Sequence, residues 1–200
     1  MPYDAARHHA PLRGRMPPWR QILDLFTPDD GSLPDVFIDG MSYEEMIDVY
    51  AWVTSQCGVF GNPTAWHKAE QRDIPLALLP SAARSFVDGD IEGFRHGLVM
   101  LRSAGVELPE LTLCLEAPDC ISFDYRKGPA WTEATITAFL AFLAQIHRRA
   151  PGATIWHAEE GGADRPTVAF EKALRQFEAQ TADEALNTSC TAGTSRSSRC

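Results

Sequence analysis

The strongest fold signal in this sequence is the stretch Leu111-Thr-Leu-Cys-Leu-Glu-Ala-Pro-Asp-Cys-Ile-Ser-Phe-Asp-Tyr-Arg126. Apolar and polar residues alternate over 111–116 and again over 121–126, as they do in strands that bury one face. Between the two runs, Ala117-Pro-Asp119 supplies turn-forming residues. The stretch therefore predicts two adjacent antiparallel strands joined as a hairpin.

Apolar periodicity on either side of this hairpin predicts further regular elements. Asp35-Val-Phe-Ile-Asp39 and residues 153–157 are each typical of a short buried strand. Ser42 and Glu45 form the capping box of a helix that we predict over 43–56. We also predict a short helix near the start of the sequence, over 19–26, and three amphipathic helices further on, over 90–104, 132–149 and 168–179.

The predictions for residues 90–104 and 58–80 depend on weaker signals. The helix over 90–104 rests on one apolar face formed by Ile91, Phe94, Leu98 and Leu101, with Gly105 as its left-handed stop. The segment 58–80 is punctuated by glycine and proline. We predict an irregular excursion there, with a helical turn around 65–71.

These elements predict an α+β fold, a single domain in which a mixed β-sheet packs against several α-helices. Residues 1–18 are rich in proline and are expected to form a flexible arm. Residues 19–180 would form the globular domain. From residue 181 to 200, Ser, Thr, Ala and Gly dominate, so we predict a disordered tail.

The composition fits this picture, with 200 residues of which 44% are apolar and 22% charged. No apolar stretch is long enough to cross a bilayer, and no apolar run follows the first arginines. The five cysteines form an odd, scattered set without a Cys-x-x-Cys pair. We therefore expect a cytoplasmic protein with reduced thiols and no membrane partner.

The net charge of −9 is unevenly distributed. Between Gln21 and His67 there is no Lys or Arg, while eight acids occur in that segment. A surface of one sign repels nucleic acid and attracts a basic partner, so we predict no direct nucleic-acid binding. The acids of this segment that we take as candidate partner contacts are Asp35, Asp39, Glu44, Glu45 and Asp48.

Motifs for nucleotide binding and for nucleophilic catalysis are absent from the sequence. The sequence contains no P-loop, no dinucleotide fingerprint and no Gly-x-Ser-x-Gly elbow. We accordingly predict no cofactor, no bound metal and no catalytic residue. One alternative stays open: a small hydrolase that uses His157 with Glu159 and Glu160, or the acids at the predicted hairpin, Glu116, Asp119 and Asp124.

Three stretches carry a resemblance to a known family: Phe37-Ile-Asp-Gly-Met-Ser-Tyr-Glu-Glu-Met-Ile-Asp-Val-Tyr-Ala-Trp52, the strand Cys120–Tyr125, and the long helix after Trp131. Together they resemble bacterial polymorphic-toxin immunity proteins, most nearly immunity protein family 52, over residues 19–178.

The resemblance implies a role in self-protection. Members of the family are partners of toxins with a restriction-endonuclease-like fold, delivered between bacteria by systems such as type VI secretion. It implies an immunity protein that neutralises a cognate antibacterial toxin, a nuclease with a basic surface, and not an enzyme. An adaptor that loads a secreted effector is a further alternative.

Overall fold

The computed structural model describes residues 16–160 and 165–192, with side chains described as far as Glu184. The helices are α1 (Pro18–Gln21), α2 (Tyr43–Ser55), α3 (Ala82–Val87), α4 (Glu133–Arg149) and α5 (Val168–Ala192), and single 3-10 turns cover Leu23–Leu25 and Leu76–Leu78. The strands are β1 (Asp35–Asp39), β2 (Gly58–Val59), β3 (Thr64–His67), β4 (Arg72–Pro75), β5 (Phe94–Val99), β6 (Arg102–Ser103), β7 (Val106–Glu107), β8 (Leu111–Ala117), β9 (Cys120–Tyr125) and β10 (Thr154–Ala158).

Six of these strands form one central sheet in the order β10-β1-β9-β8-β5-β2. The predicted α+β class is confirmed. Every pairing is antiparallel, however, whereas the sequence predicted a mixed sheet. The strands β9 and β10, which α4 connects, run in the same direction and could have paired in parallel. They do not pair with each other, because β1 lies between them and is antiparallel to both.

The predicted hairpin is confirmed as β8 and β9, which pair antiparallel with Leu113 opposite Phe123. A register shift between Leu115 and Ala117 marks a β-bulge just before the turn. The extra residue, Glu116, bends the end of β8 and redirects its side chains, as β-bulges commonly do.

The main core lies on one side of this sheet, under the helices. The predicted apolar stripe of α4 is buried there, with Phe142 edge-on to Phe123 of β9 at 5.4 Å between ring centroids. Helix α2 begins with the predicted capping box, in which Ser42 accepts from the Glu45 amide and Glu45 accepts from the Ser42 amide. Its Tyr50 packs edge-on against Phe94 of β5.

The predicted helix over 90–104 is wrong, because residues 94–99 form β5 and residues 102–103 form β6. Phe94, His96 and Leu98 also alternate at a spacing of two, and all three are buried. Gly97 disfavours a helix, and pairing with both β2 and β8 decides for a strand. Gly105 does adopt the expected left-handed conformation, with φ 80°, but in the turn between β6 and β7.

The irregular excursion predicted for 58–80 is also wrong in part. It contains β2 and a separate two-stranded sheet of β3 and β4, whose turn has Gln71 at φ 51° in place of the predicted helical turn. Ala65 and Ile74 face each other across this sheet and are buried. Their alternation was masked by the surrounding prolines and glycines.

At the C-terminal end, α5 continues through residues 181–192, where the sequence predicts a tail without regular structure. The remainder of that tail lies outside the described residues, as does most of the predicted arm. Within 16–160 and 165–192, no helix has both the length and the apolar character needed to cross a membrane.

Candidate binding face of the central sheet

The central sheet has two unlike faces. Helices α2, α4 and α5 pack on one of them, as shown by Tyr50 on Phe94, Phe142 on Phe123, and Phe170 on His157. We call the opposite side the open face. The antiparallel register places these residues on the open face: Thr154, Trp156, Ala158, Asp35, Phe37, Asp39, Cys120, Ser122, Asp124, Thr112, Cys114, Arg95 and Gly97. Glu116, the bulge residue, lies beside them through its ion pair with Arg95. Ala158, Cys114 and Ser122 are buried, and the other side chains reach the surface to different extents.

Two carboxylates lie at the centre of the open face. Asp35 of β1 is directly opposite Asp124 of β9, and both side chains are half-buried. Burial, together with the negative charges of Asp124 and Glu116, raises the pKa of Asp35 to about 6. Asp124 also accepts a hydrogen bond from the Cys114 thiol at 3.3 Å. The sheet therefore holds two acids together where they repel each other.

One basic residue of the open face is already engaged by an acid. Arg95 on β5 pairs with Glu116 at 3.0 Å, and both side chains are largely exposed. Among the described residues, Asp35, Asp39 and Asp124 form no ion pair. The open face consequently presents negative charge that the fold itself leaves unbalanced.

Two aromatic rings lie beside these acids. Phe37 of β1 stacks on Trp156 of β10, with centroids 4.3 Å apart and planes 17° from parallel. The Trp156 indole N–H donates to the Asp39 carboxylate at 2.6 Å. Both rings are half-buried, so they combine a fixed orientation with accessible area, as interface anchors do.

A cleft of about 300 Å³ marks the other end of the open face. Phe60 lies over Gly97 there, and a Cβ on that glycine would come within 3.2 Å of the Phe60 Cβ. Phe60 is 72% exposed and Leu33 is 44% exposed, so apolar side chains rim a cleft that also reaches Asp124.

The five predicted contact acids are divided between two layers. Asp35 and Asp39 lie on the open face, whereas the other three belong to α2 on the opposite side and have local partners. Glu44 pairs with Arg84 at 2.8 Å, Glu45 completes the helix cap, and Asp48 pairs with Arg149 at 3.0 Å. Exposed pairs of this kind neutralise charge at the surface. The structure therefore does not bring the five acids together.

His157, the centre of the hydrolase alternative, is fully buried on the helix-covered face. Its Nε2 lies 2.9 Å from the Tyr125 hydroxyl, and its Nδ1 lies 2.9 Å from the Thr167 hydroxyl. Tyr125 donates its single proton to the Leu25 carbonyl, so Nε2–H must donate to Tyr125 and Nδ1 must accept from Thr167. Burial lowers the pKa of His157 to about 4, which keeps the ring neutral.

The other residues of that alternative are dispersed. Glu159 accepts from the buried Lys127 at 2.6 Å, and Glu160 accepts from the Leu33 amide. Asp119 lies in the hairpin turn, where its carbonyl accepts from the Met41 amide. Among the described residues, neither Glu159 nor Glu160 hydrogen-bonds to His157, whereas Glu116 and Asp124, two of the hairpin acids, lie near Asp35 on the open face.

The sequence grouped Glu116 and Asp124 at the predicted hairpin but did not connect them with Asp35. The signal for Asp124 was present, because Cys120, Ser122 and Asp124 alternate with three apolar residues and so share one face of β9. What the sequence could not supply was the register that sets β9 beside β1.

Within the described part of the chain, no three His, Cys, Asp or Glu side chains are grouped so as to hold a metal ion. Comparisons with protein-family models, with curated proteins and with solved structures find no match to this chain.

Proposed function

We propose that this protein is an immunity protein that binds a cognate antibacterial toxin through the open face of its central sheet. The observation that carries the proposal is the direct opposition of Asp35 and Asp124. Like charges opposite each other destabilise a sheet, and such costs are retained mainly where function requires them. A basic side chain placed between the two carboxylates would turn their repulsion into attraction.

The neighbouring groups support a protein as the partner. The Phe37–Trp156 stack offers a rigid aromatic anchor next to the acids, and aromatic anchors surrounded by polar groups are typical of protein interfaces. The excess of acids on the open face would also speed association with a cationic surface.

The toxin assignment rests on the resemblance of residues 19–178 to immunity proteins. A nuclease needs a basic surface to bind phosphates, so an acidic inhibitor can cover that surface and exclude the substrate. The free thiols of Cys57, Cys114 and Cys120 suit the reducing cytoplasm, where we expect the protein to act.

Protection of growing cells tests the proposal. The product of the gene directly beside this one is expressed in bacterial cells as the candidate toxin, with and without this protein. We expect the wild-type protein to restore growth and to bind the purified candidate as a one-to-one complex. If it neither binds nor protects against the neighbouring product, the immunity function is wrong and the adaptor alternative takes precedence.

Two double variants, each of which removes two negative charges, test which surface binds the toxin. Asp35→Asn with Asp124→Asn removes two charges from the open face, while Glu44→Gln with Asp48→Asn removes two from α2. We expect the first pair to weaken binding by about tenfold or more, with a slower and less salt-sensitive association, and the second to retain binding. Equal loss in both would show a general charge effect, and loss only in the second would place the interface on α2.

A further inference from the structure

His96 is a buried histidine without a hydrogen-bond partner. It lies on β5, on the helix-covered face, with only 4% of its surface exposed. Neither ring nitrogen meets a donor or acceptor among the described residues. Burial lowers the pKa of His96, so the ring is neutral, with one nitrogen that can donate and one that can accept. Buried polar groups are rarely left in this state.

The imidazole forms part of the wall of a cavity of about 240 Å³. Tyr50, Thr54 and Asn62 line it together with His96. Exposed Asn62 lies on the wall, so the cavity opens to solvent on that side.

The rest of the lining is apolar and includes Val59, Pro63 and Leu76. Engineered apolar cavities of roughly 150 Å³ already accept benzene, so this space is adequate for a molecule of at least that size. No lining residue is an acid, a lysine or an arginine, so a charged ligand would be buried without a counterion.

From these features we infer a binding site for a small uncharged molecule that has a compact apolar body and one hydroxyl or amide group directed at His96. The apolar body fills the space beside Val59, Pro63 and Leu76, and the polar group satisfies a ring nitrogen. The site is separate from the open face, because His96 projects from the other side of the sheet.

Access to the nitrogen involves Tyr50. Its ring packs edge-on against His96 with centroids 5.7 Å apart, while Phe94 stacks on the imidazole at 6.2 Å. Both ring nitrogens are buried, so a ligand reaches them only when a neighbouring side chain shifts, and Tyr50 touches the imidazole and also lines the cavity.

Phenol and toluene form a matched pair of probes, since they are similar in size and differ in the hydroxyl group. Binding of each to the full chain is followed by amide chemical shifts, and we expect saturable shifts at Val59 and Leu76. In His96→Phe, which retains an aromatic ring between Phe94 and Tyr50, the phenol-to-toluene affinity ratio should fall about fivefold.

Ala77→Phe provides the second variant. Ala77 is exposed and lines the cavity, so a larger side chain there should fill the space without disturbing the core, and both probes should lose saturable binding. Phenol shifts that are not saturable, or that persist unchanged in Ala77→Phe, would overturn the site. A phenol-to-toluene ratio that is the same in His96→Phe and the wild type would overturn the role of His96.

Discussion

Asp35 and Asp124 occupy directly opposed positions on β1 and β9, with their side chains on the same face of the sheet. Side chains so placed have Cβ atoms about 4.5–5.5 Å apart. In a sheet selected for stability alone, one of these positions would hold a base or an uncharged residue. The opposition therefore yields a stability test that requires no knowledge of the partner.

Asp35→Asn should stabilise the free protein. It removes one of two repelling charges and retains the shape of the side chain, so the free energy of unfolding near pH 7.5 should rise by roughly 0.2–1 kcal/mol. Urea denaturation monitored by circular dichroism measures the change. Asp73→Asn, at an exposed position in the separate sheet of β3 and β4, is the control and should have little effect. A destabilised Asp35→Asn protein would contradict the repulsion.

The stabilisation by Asp35→Asn should depend on pH. Because Asp35 has a pKa of about 6 in the folded protein and an ordinary value of 3.8, the folded state binds the extra proton between these values. The cost of ionised Asp35 is thus complete above pH 6 and disappears as the pH falls towards 3.8. We expect the melting-temperature difference between variant and wild type to shrink over that window. A constant difference from pH 7.5 to pH 4 would exclude this origin.

His157 should show the opposite dependence. Its pKa is about 4 when folded and 6.5 when unfolded, so neutral His157 stabilises the fold fully above pH 6.5, and this contribution is lost as the pH falls towards 4. Titration of the ring protons by nuclear magnetic resonance should give a midpoint near 4. A midpoint near 6.5 would show that the ring is accessible to water.

Thr167→Val tests the hydrogen bonds of the same histidine. It leaves Nδ1 of His157 buried without a donor, which should lower the free energy of unfolding by about 1–3 kcal/mol. Thr167→Ser retains the hydroxyl and should be much closer to the wild type. Equal losses of unfolding free energy in the two variants would indicate that the Thr167 methyl group, and not its hydroxyl, stabilises the packing around His157.

Truncation should show where α5 stops contributing to the core. Residues 182–184 are exposed, whereas Ala173, Leu174 and Gln176 are buried, and Gln176 donates to the Met16 carbonyl. A chain ending at Glu184 should melt within about 2 °C of the full chain, since the helix is already exposed over the three residues before the cut. A chain ending at Lys172 should lose more than about 3 kcal/mol. A large loss from the shorter deletion would show that the distal part of α5 is docked.

Sequence patterns predicted those elements whose signals are local. The capping box of Ser42 and Glu45 determines the start of α2, and strict alternation over 111–126 determines the hairpin. The helix prediction over 90–104 was wrong because Phe94 and Leu98 fit a helical spacing and an alternating spacing equally well. Pairing with neighbouring strands selects the strand over the helix, and the local sequence pattern carries no information about that pairing.

The candidate surfaces were less predictable than the fold. The acidity between residues 21 and 67 singled out Asp35, Asp39, Glu44 and Asp48 as one set, but which of them share a face depends on the layers of the fold. The cavity at His96 has no sequence signal, because it forms where α2, the β2–β3 connection and the Leu76–Leu78 turn meet.

The position of β1 between β9 and β10 also affects the order in which the sheet can form. Asp35 pairs with residues as distant as Asp124 and Ala158, so the acidic strand stays without neighbours until most of the chain has left the ribosome. Such long-range pairing slows folding compared with local helical contacts. The open face is therefore complete only after β10, which carries Trp156, has joined β1.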